Sequence, residues 1–203
     1  MRDKMMDLRV IRTKEAIRDA LVELIEEKGF EAITVKDITT RAKINRGTFY
    51  SHYQDKYDLM SKCEEEVINE MEDKIVKNLP TILADAGTLA LNPKIFTILV
   101  PFFDYLYRNR GFMKAVLGPK GDVSFQTKLK EFMLKSLFKN NPLLKEENLL
   151  VPSDYLVSYI GSAHLGVIQQ WLNSDRNETP QEIARILATM TINGPLFAAG
   201  LKK

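Results

Sequence analysis

The chain has one cysteine, Cys63, and two histidines, His52 and His164, in 203 residues. A lone cysteine excludes an internal disulfide framework, and one cysteine with two histidines falls short of the four-ligand sets that hold structural zinc. A reducing, cytoplasmic setting fits such a composition. Long apolar runs are also missing. The opening "MRDKMMDLRVIRTKEAI" has no apolar leader core, and the greasiest stretch, Ile95 to Leu106, is broken by Pro101 and Asp104. It is shorter than the ~20 residues a membrane-spanning helix needs, so neither export nor insertion is expected. Net charge is only +2, which leaves no global basic field to attract nucleic acid.

Hydrophobic residues make up 45% of the chain and charged residues 28%, the profile of a folded globular protein long enough to bury a sizeable core. Charge is patterned locally. Residues 1 to 14 carry five Lys/Arg against two Asp, and residues 36 to 56 again carry five against two, while residues 15 to 35 carry two against six. Two basic segments therefore flank an acidic helix.

Ile17, Ala20, Leu21, Leu24 and Ile25 follow helical spacing, so residues 13 to 28 are expected to form an amphipathic helix ended by Gly29. Thr34 with Asp37 three positions on gives a capping signal for a second helix over about 35 to 42, with Val35, Ile38 and Ala42 inward. Lys43, Ile44 and Asn45 make a turn, and Asn45 caps a third helix over about 46 to 52. Asp55 caps a fourth, in which Met60, Cys63, Val67, Met71 and Ile75 form a stripe that ends at Pro80. At 1.5 Å per residue that helix is roughly 35 Å long. A further helix is expected with Asn92 as its cap and Pro93 at its first position, where "IFTILVPFFDYLYRN" is apolar nearly all round and Pro101 should kink it. Others are expected around Phe125, Leu129, Phe132, Met133 and Leu137, along Leu156, Ile160, Ala163, Val167 and Trp171, and after the capping box Thr179-Pro180-Gln181-Glu182. No window offers a convincing strand pair, so the fold class is all-α.

The stretch "KINRGTFYSHYQDKYDLM" crowds rings around a basic turn. A short helix, a three-residue turn and a second short helix follow the helix-turn-helix plan, in which the second helix enters a major groove. With Ile44, Phe49 and Tyr53 inward, Arg46, Thr48, Tyr50, Ser51 and His52 are left facing out. Gly47 costs ~1 kcal/mol against Ala inside a helix, a penalty that makes sense where backbone approaches a phosphate or a neighbouring helix closely. The bland alternative is a helical hairpin whose aromatics all belong to the core.

The run "TVKDITTRAKINRGTFYSHYQDKYDLM" resembles the DNA-binding head of the TetR family of bacterial transcriptional regulators, over residues 13 to 60 and most specifically in "GTFYSHYQDK". The resemblance implies an all-α homodimer: a three-helix head (residues 1–54) joined by a long helix to a larger ligand-binding and dimerisation body (residues 55–203). It also implies a double-stranded palindromic operator, a small-molecule effector, no cofactor, and most often repression, with activation as the alternative. Carried over by position, Thr34, Lys36, Tyr50, His52 and Lys56 would hold phosphates, while Asn45, Arg46, Thr48 and Ser51 would meet base edges or adjacent phosphates, beside Gly47. Ser51 departs from the larger residue that many members carry. The body run "SYIGSAHLGVIQQWLNSDRNETPQEIARIL" resembles one branch of the same family.

Ser162, Ala163 and Gly166 remove side-chain bulk from one face, which suits either a two-fold helical interface or internal packing. An effector site is expected between the fourth helix and the helices after Pro93. Ile95, Phe96, Leu99, Phe102, Phe103, Phe125, Phe132, Met133 and His164 are candidate lining residues, with Tyr105 or Gln169 as orienting groups. Such a lining suits an apolar or aromatic molecule, and the signal would reach the head through the helix of residues 55 to 79. Cys63 lies on an apolar stripe and reads as inert. His164 reads as a core hydrogen-bonder or a ligand contact. Glu64, Glu65 and Glu66 read as a solvated face. No nucleophile, base and orienting group converge on an enzyme site.

Overall fold

The computed structural model describes residues 2–74, 91–135, 149–174 and 178–200, and the regular elements among them are all helical. In chain order they are α1 (Arg2–Lys28), a 3-10 turn (Phe30–Ala32), α2 (Val35–Arg41), α3 (Arg46–Tyr50), α4 (Lys56–Lys74), α5 (Leu91–Arg108), α6 (Arg110–Leu117), α7 (Val123–Leu134), α8 (Ser153–Asn173), α9 (Pro180–Asn193) and α10 (Pro195–Ala198). They fall into two compact units: Met1–Val67 with Gly111–Phe125, and Ile68–Arg110 with Gln126–Lys203.

In the first unit, Ile17, Ala20, Leu21, Leu24 and Ile25 are the buried stripe of α1. The helix begins at Arg2 and not at residue 13. The apolar spacing marks only where burial starts, and Arg, Lys, Met and Leu sustain a helix upstream by propensity alone. Ile38 of α2, which packs on α1, is buried too, as are Phe49 of α3, Tyr53, and Leu59, Met60, Cys63 and Val67 of α4. Val35 and Ala42, expected inward, are half-buried. Arg41 clamps α2 to α1 by donating to Glu23 (2.7 Å) and Glu27 (2.8 Å), and Lys28 pairs with Asp37 at 2.7 Å. The α4 helix opens on Asp55, whose Oδ1 accepts the N–H groups of Tyr57 and Asp58. The expected stretch from Ile75 to Pro80 lies outside the described residues.

Glu64 corrects the sequence reading. It is 1% exposed, whereas Glu65 and Glu66 are on the surface. In α4 it follows Cys63 by one position, so it turns partly toward the buried stripe. Cys63 is itself buried, which pushes its thiol up to about 12 and leaves it unreactive.

In the second unit, α5 starts at Leu91, so Asn92, expected as its cap, and Pro93, expected at its first position, both stand within its first turn. There a missing N–H costs nothing. The helix runs on through Pro101. It is one-sided, with Leu99, Phe102, Phe103, Tyr105 and Leu106 buried and Pro101, Tyr107 and Arg108 exposed. Trp171 anchors the unit: its ring meets Phe103 edge-on at 5.4 Å and stacks with Tyr107 at 6.2 Å, and its Nε1 donates to the Glu178 carbonyl at 3.0 Å.

The buried face of α8 consists of Gly161, His164, Leu165, Ile168, Trp171 and Leu172. Of the expected stripe only Trp171 is in it; Leu156, Ile160 and Val167 are half-buried and Ala163 is exposed, because both faces of the helix carry apolar residues and spacing alone does not choose between them. Ser162, Ala163 and Gly166 are exposed as a result. The capping box of α9 is present: Glu182 Oε2 accepts from the Thr179 N–H and hydroxyl, and the Glu182 N–H donates back to Thr179 Oγ1. Leu137 lies outside the described residues. Helix α6, which the apolar spacing of Phe112, Met113 and Val116 and the stop at Gly118-Pro119 could have revealed, is absent from the sequence reading.

Candidate DNA-binding surface

The second helix of the pair is built by its caps. Lys43, with φ 55, turns the chain out of α2, and Asn45 then caps α3. Asn45 Oδ1 accepts the N–H of Thr48 at 2.7 Å and its hydroxyl at 3.0 Å. At the other end the Ser51 hydroxyl donates to the Thr48 carbonyl at 2.7 Å. Five residues are too few to hold a helix by propensity. The caps, together with Phe49 (fully buried) and Tyr53 behind it, fix the segment instead. Rings at 5.6 Å link Phe49 to both Tyr50 and Tyr53.

With Phe49 and Tyr53 inward, Arg46, Gly47, Tyr50 and Ser51 are exposed, Tyr50 to 56%. Thr48 and His52 are half-buried. A Cβ at Gly47 would come 3.3 Å from Asn45 Oδ1, so the glycine keeps the cap oxygen uncrowded. The rings of the opening stretch thus divide: Phe49 and Tyr53 form core, while Tyr50 and Tyr57 face outward.

Thr34 caps α2 in a full capping box. Its N–H and hydroxyl both donate to Asp37 Oδ2 (2.9 and 2.6 Å), and the Asp37 N–H returns to Thr34 Oγ1 at 3.2 Å. With Lys28 and then Thr34 donating to it, the Asp37 carboxyl is held well below the usual carboxylate range. Lys36, on the first turn of α2, is exposed. Lys56 is engaged internally: its ammonium donates to the carbonyls of Phe30 (3.0 Å) and Glu31 (2.8 Å) and lies about 5 Å from the rings of Phe30 and Tyr57.

The residues expected to line an effector site are spread over both units. Leu99, Phe102, Phe103, Phe132, Met133 and His164 belong to the second, and Phe125 to the first, where it meets Phe112 at 6.3 Å. The side chains of Ile95 and Phe96 lie outside the described residues. His164 Nε2 bonds Thr191 Oγ1 at 3.0 Å, and the Thr191 hydroxyl donates to the Leu187 carbonyl at 2.8 Å. That threonine proton is spent, so Nε2 carries the hydrogen and donates. Burial pushes His164 down to about 4. A groove of about 360 Å³ in the second unit is lined by other residues, among them Ala163, Gly166, Val167 and Gln170 of α8 and Ile183, Ile186 and Met190 of α9.

A short helix, a turn and a second short helix with a capped start, a buried aromatic face and an outward polar face constitute a helix-turn-helix. Residues 17–63 match the family described as "Bacterial regulatory proteins, tetR family", and residues 94–193 match "Transcriptional regulator C-terminal region". The chain is 27% identical over 172 residues to the uncharacterised HTH-type transcriptional regulator YxbF of Bacillus subtilis, across 83% of this chain and 42% of that protein. Over 65 residues, 32% of this chain and 35% of the relative, it is 31% identical to IcaR of Staphylococcus epidermidis, the biofilm operon icaADBC HTH-type negative transcriptional regulator. It thus spans less than half the length of these two curated relatives. In fold it resembles a TetR transcriptional regulator from Streptococcus agalactiae 2603V, with a TM-score of 0.63 and 23% identity over 93% of this chain and 98% of that one. The chain belongs to the TetR family of bacterial transcriptional regulators, whose members are not enzymes.

Proposed function

We propose that the chain acts as a cytoplasmic homodimer that occupies an inverted-repeat operator through α3 and leaves it when a small, largely apolar or aromatic effector binds the body. The observation that carries the reading is the division of α3 into a buried aromatic face and an outward face of Arg46, Gly47, Tyr50 and Ser51. Side chains on such a short helix reach few base pairs, and a two-fold axis doubles both contacts and selectivity. Lys36, exposed on the first turn of α2, supplies a phosphate contact beside it, while Thr34, whose N–H and hydroxyl both donate to Asp37, holds the start of that helix.

The small-residue face of α8 supports the dimer. Ser162, Ala163 and Gly166 are exposed, no atom lies within 4 Å of where a Gly166 Cβ would be, and Tyr155 (75%), Tyr159 (61%) and Ile186 (42%) are exposed on α8 and α9. Apolar surface of this kind seeks a partner, and an isologous pairing of the two helices covers it on both copies. The effector reading rests on aromatic and methionine side chains, with His164 as a polar group. Ligand-driven separation of the heads beyond the ~34 Å between half-sites would release DNA, and a tenfold change in occupancy needs only ~1.4 kcal/mol of differential affinity.

Repression is the simpler mode, since a dimer seated over a promoter excludes polymerase, and IcaR is named a negative regulator. Activation differs only in where the operator lies. Among the described residues no helix is long and apolar enough to cross a membrane. A gel shift with the DNA upstream of its own gene, paired with a promoter-reporter assay, tests the reading: binding with loss of expression supports repression, binding with gain supports activation, and no binding refutes both.

A further inference from the structure

The first compact unit holds a piece of chain, Gly111–Phe125, that enters from Arg110 and leaves into Gln126, both residues of the second unit. Within the first unit this piece completes the end of α1. Gly29, with φ 79, breaks the helix, so the Glu26 carbonyl and the Phe30 N–H do not meet in the next helical turn. Lys120 satisfies both. Its ammonium donates to the Glu26 carbonyl at 2.9 Å, and its own carbonyl accepts the Phe30 N–H at 3.1 Å. A cation at a helix C-terminus is also favoured by the helix dipole.

The same piece is pinned at two further places. The Arg18 guanidinium sits 4.5 Å over the Phe112 ring, and Phe112 meets Phe125 edge-on. Its turn can be reached only without side chains, because a Cβ at Gly121 would lie 2.1 Å from the Val116 carbonyl oxygen and one at Gly118 would lie 2.7 Å from that of Lys114. Immediately upstream, Arg110 repeats the device in the second unit. Its guanidinium donates to the carbonyls of Trp171 (3.5 Å), Leu172 (3.2 Å) and Ser174 (3.1 Å), at the C-terminal end of α8.

We propose that Lys120 is a helix cap supplied from outside its helix, which makes residues 111–125 an integral part of the DNA-reading unit. The chain then runs from a clamp on the end of α8, at Arg110, to a clamp on the end of α1, at Lys120. Both act as positioning residues. The inference rests on reading the first unit as the DNA head, but its test uses neither DNA nor effector, so failure of the one does not entail failure of the other.

Trp171 is the chain's sole tryptophan and lies buried in the second unit, so its fluorescence follows that unit while far-UV circular dichroism follows all helices. In the full chain the two thermal curves coincide. In Lys120→Met, which keeps the apolar stem and loses the donor, a circular dichroism phase precedes the Trp171 transition and amide exchange at Phe30 rises at least tenfold. Lys120→Arg, still able to donate, restores both. Should Lys120→Met fail to fold, Lys120→Gln replaces it with the same expectations. Non-coincident curves in the unaltered chain, coincident curves in the variant, or an unchanged Phe30 amide would each overturn the inference.

Discussion

Asn45 Oδ1 accepts both the backbone N–H and the hydroxyl of Thr48, at 2.7 and 3.0 Å. Two residues expected to meet base edges therefore spend hydrogen-bonding groups on each other, and Ser51 spends its hydroxyl proton on the Thr48 carbonyl. In the proposed binding mode, base reading falls mainly to Arg46, beside the phosphate contact expected of Tyr50, while Asn45, Thr48 and Ser51 hold the helix from which they project. Asn45→Ala should cost about 1 kcal/mol, the usual value of a lost N-cap. Urea unfolding followed by circular dichroism checks this; an unchanged midpoint would mean that the cap is not structural.

Lys56 gives a second expectation. Its ammonium bonds the Phe30 and Glu31 carbonyls, so Lys56→Ala should lower thermal stability as well as weaken binding to every DNA sequence alike. A pure phosphate contact would instead lower the salt slope of binding by about one and leave the melt untouched. Melting and salt titration of the same variant separate these outcomes, and we expect the melt to move.

His164 ties stability to pH. Its ordinary value is 6.5 and burial pushes it down to about 4 in the folded chain. Between those values the unfolded chain binds the proton and the folded chain does not, so stability falls as pH falls from 6.5 toward 4. The loss is of order 3 kcal/mol at most. Unfolding free energies at pH 7 and pH 4.5 should differ less in His164→Gln than in the unaltered chain; an equal pH dependence in both would remove His164 as the source. The lowered carboxyls of Asp37, Asp58 and Glu182 act in a more acidic window, their stabilisation present above their unfolded values and lost as pH falls through the lowered ones.

The exposed small-residue face of α8 gives a test of assembly. Gly166 has open space where a Cβ would lie, so Gly166→Arg should fold as before and sediment as a monomer. A dimer in that variant would move the interface elsewhere.

The head was largely legible in the sequence because its signals are local. Thr34, Asn45 and Asp55 announce caps within three residues of their partners, and the stripe from Ile17 to Ile25 marks the inward side of α1. Where both faces of a helix are apolar, periodicity does not choose between them, and in α8 only Trp171 of the expected stripe is fully buried. Glu64 was misread for a related reason, since its burial depends on what covers α4 and not on its neighbours in sequence. The roles of Lys56 and Lys120 were out of reach. Each reaches carbonyls more than twenty positions away, and nothing local marks a lysine as a cap for a distant helix.

The central claim is that α3 reads DNA on a two-fold axis. Hydroxyl-radical footprinting on the DNA upstream of its own gene, with the unaltered chain and with Arg46→Ala and Tyr50→Ala, tests it most directly. The account predicts two symmetric protected half-sites about one helical turn or a multiple apart, both lost in each variant while the circular dichroism spectrum stays unchanged. A single asymmetric half-site, or protection that survives both substitutions, would contradict it.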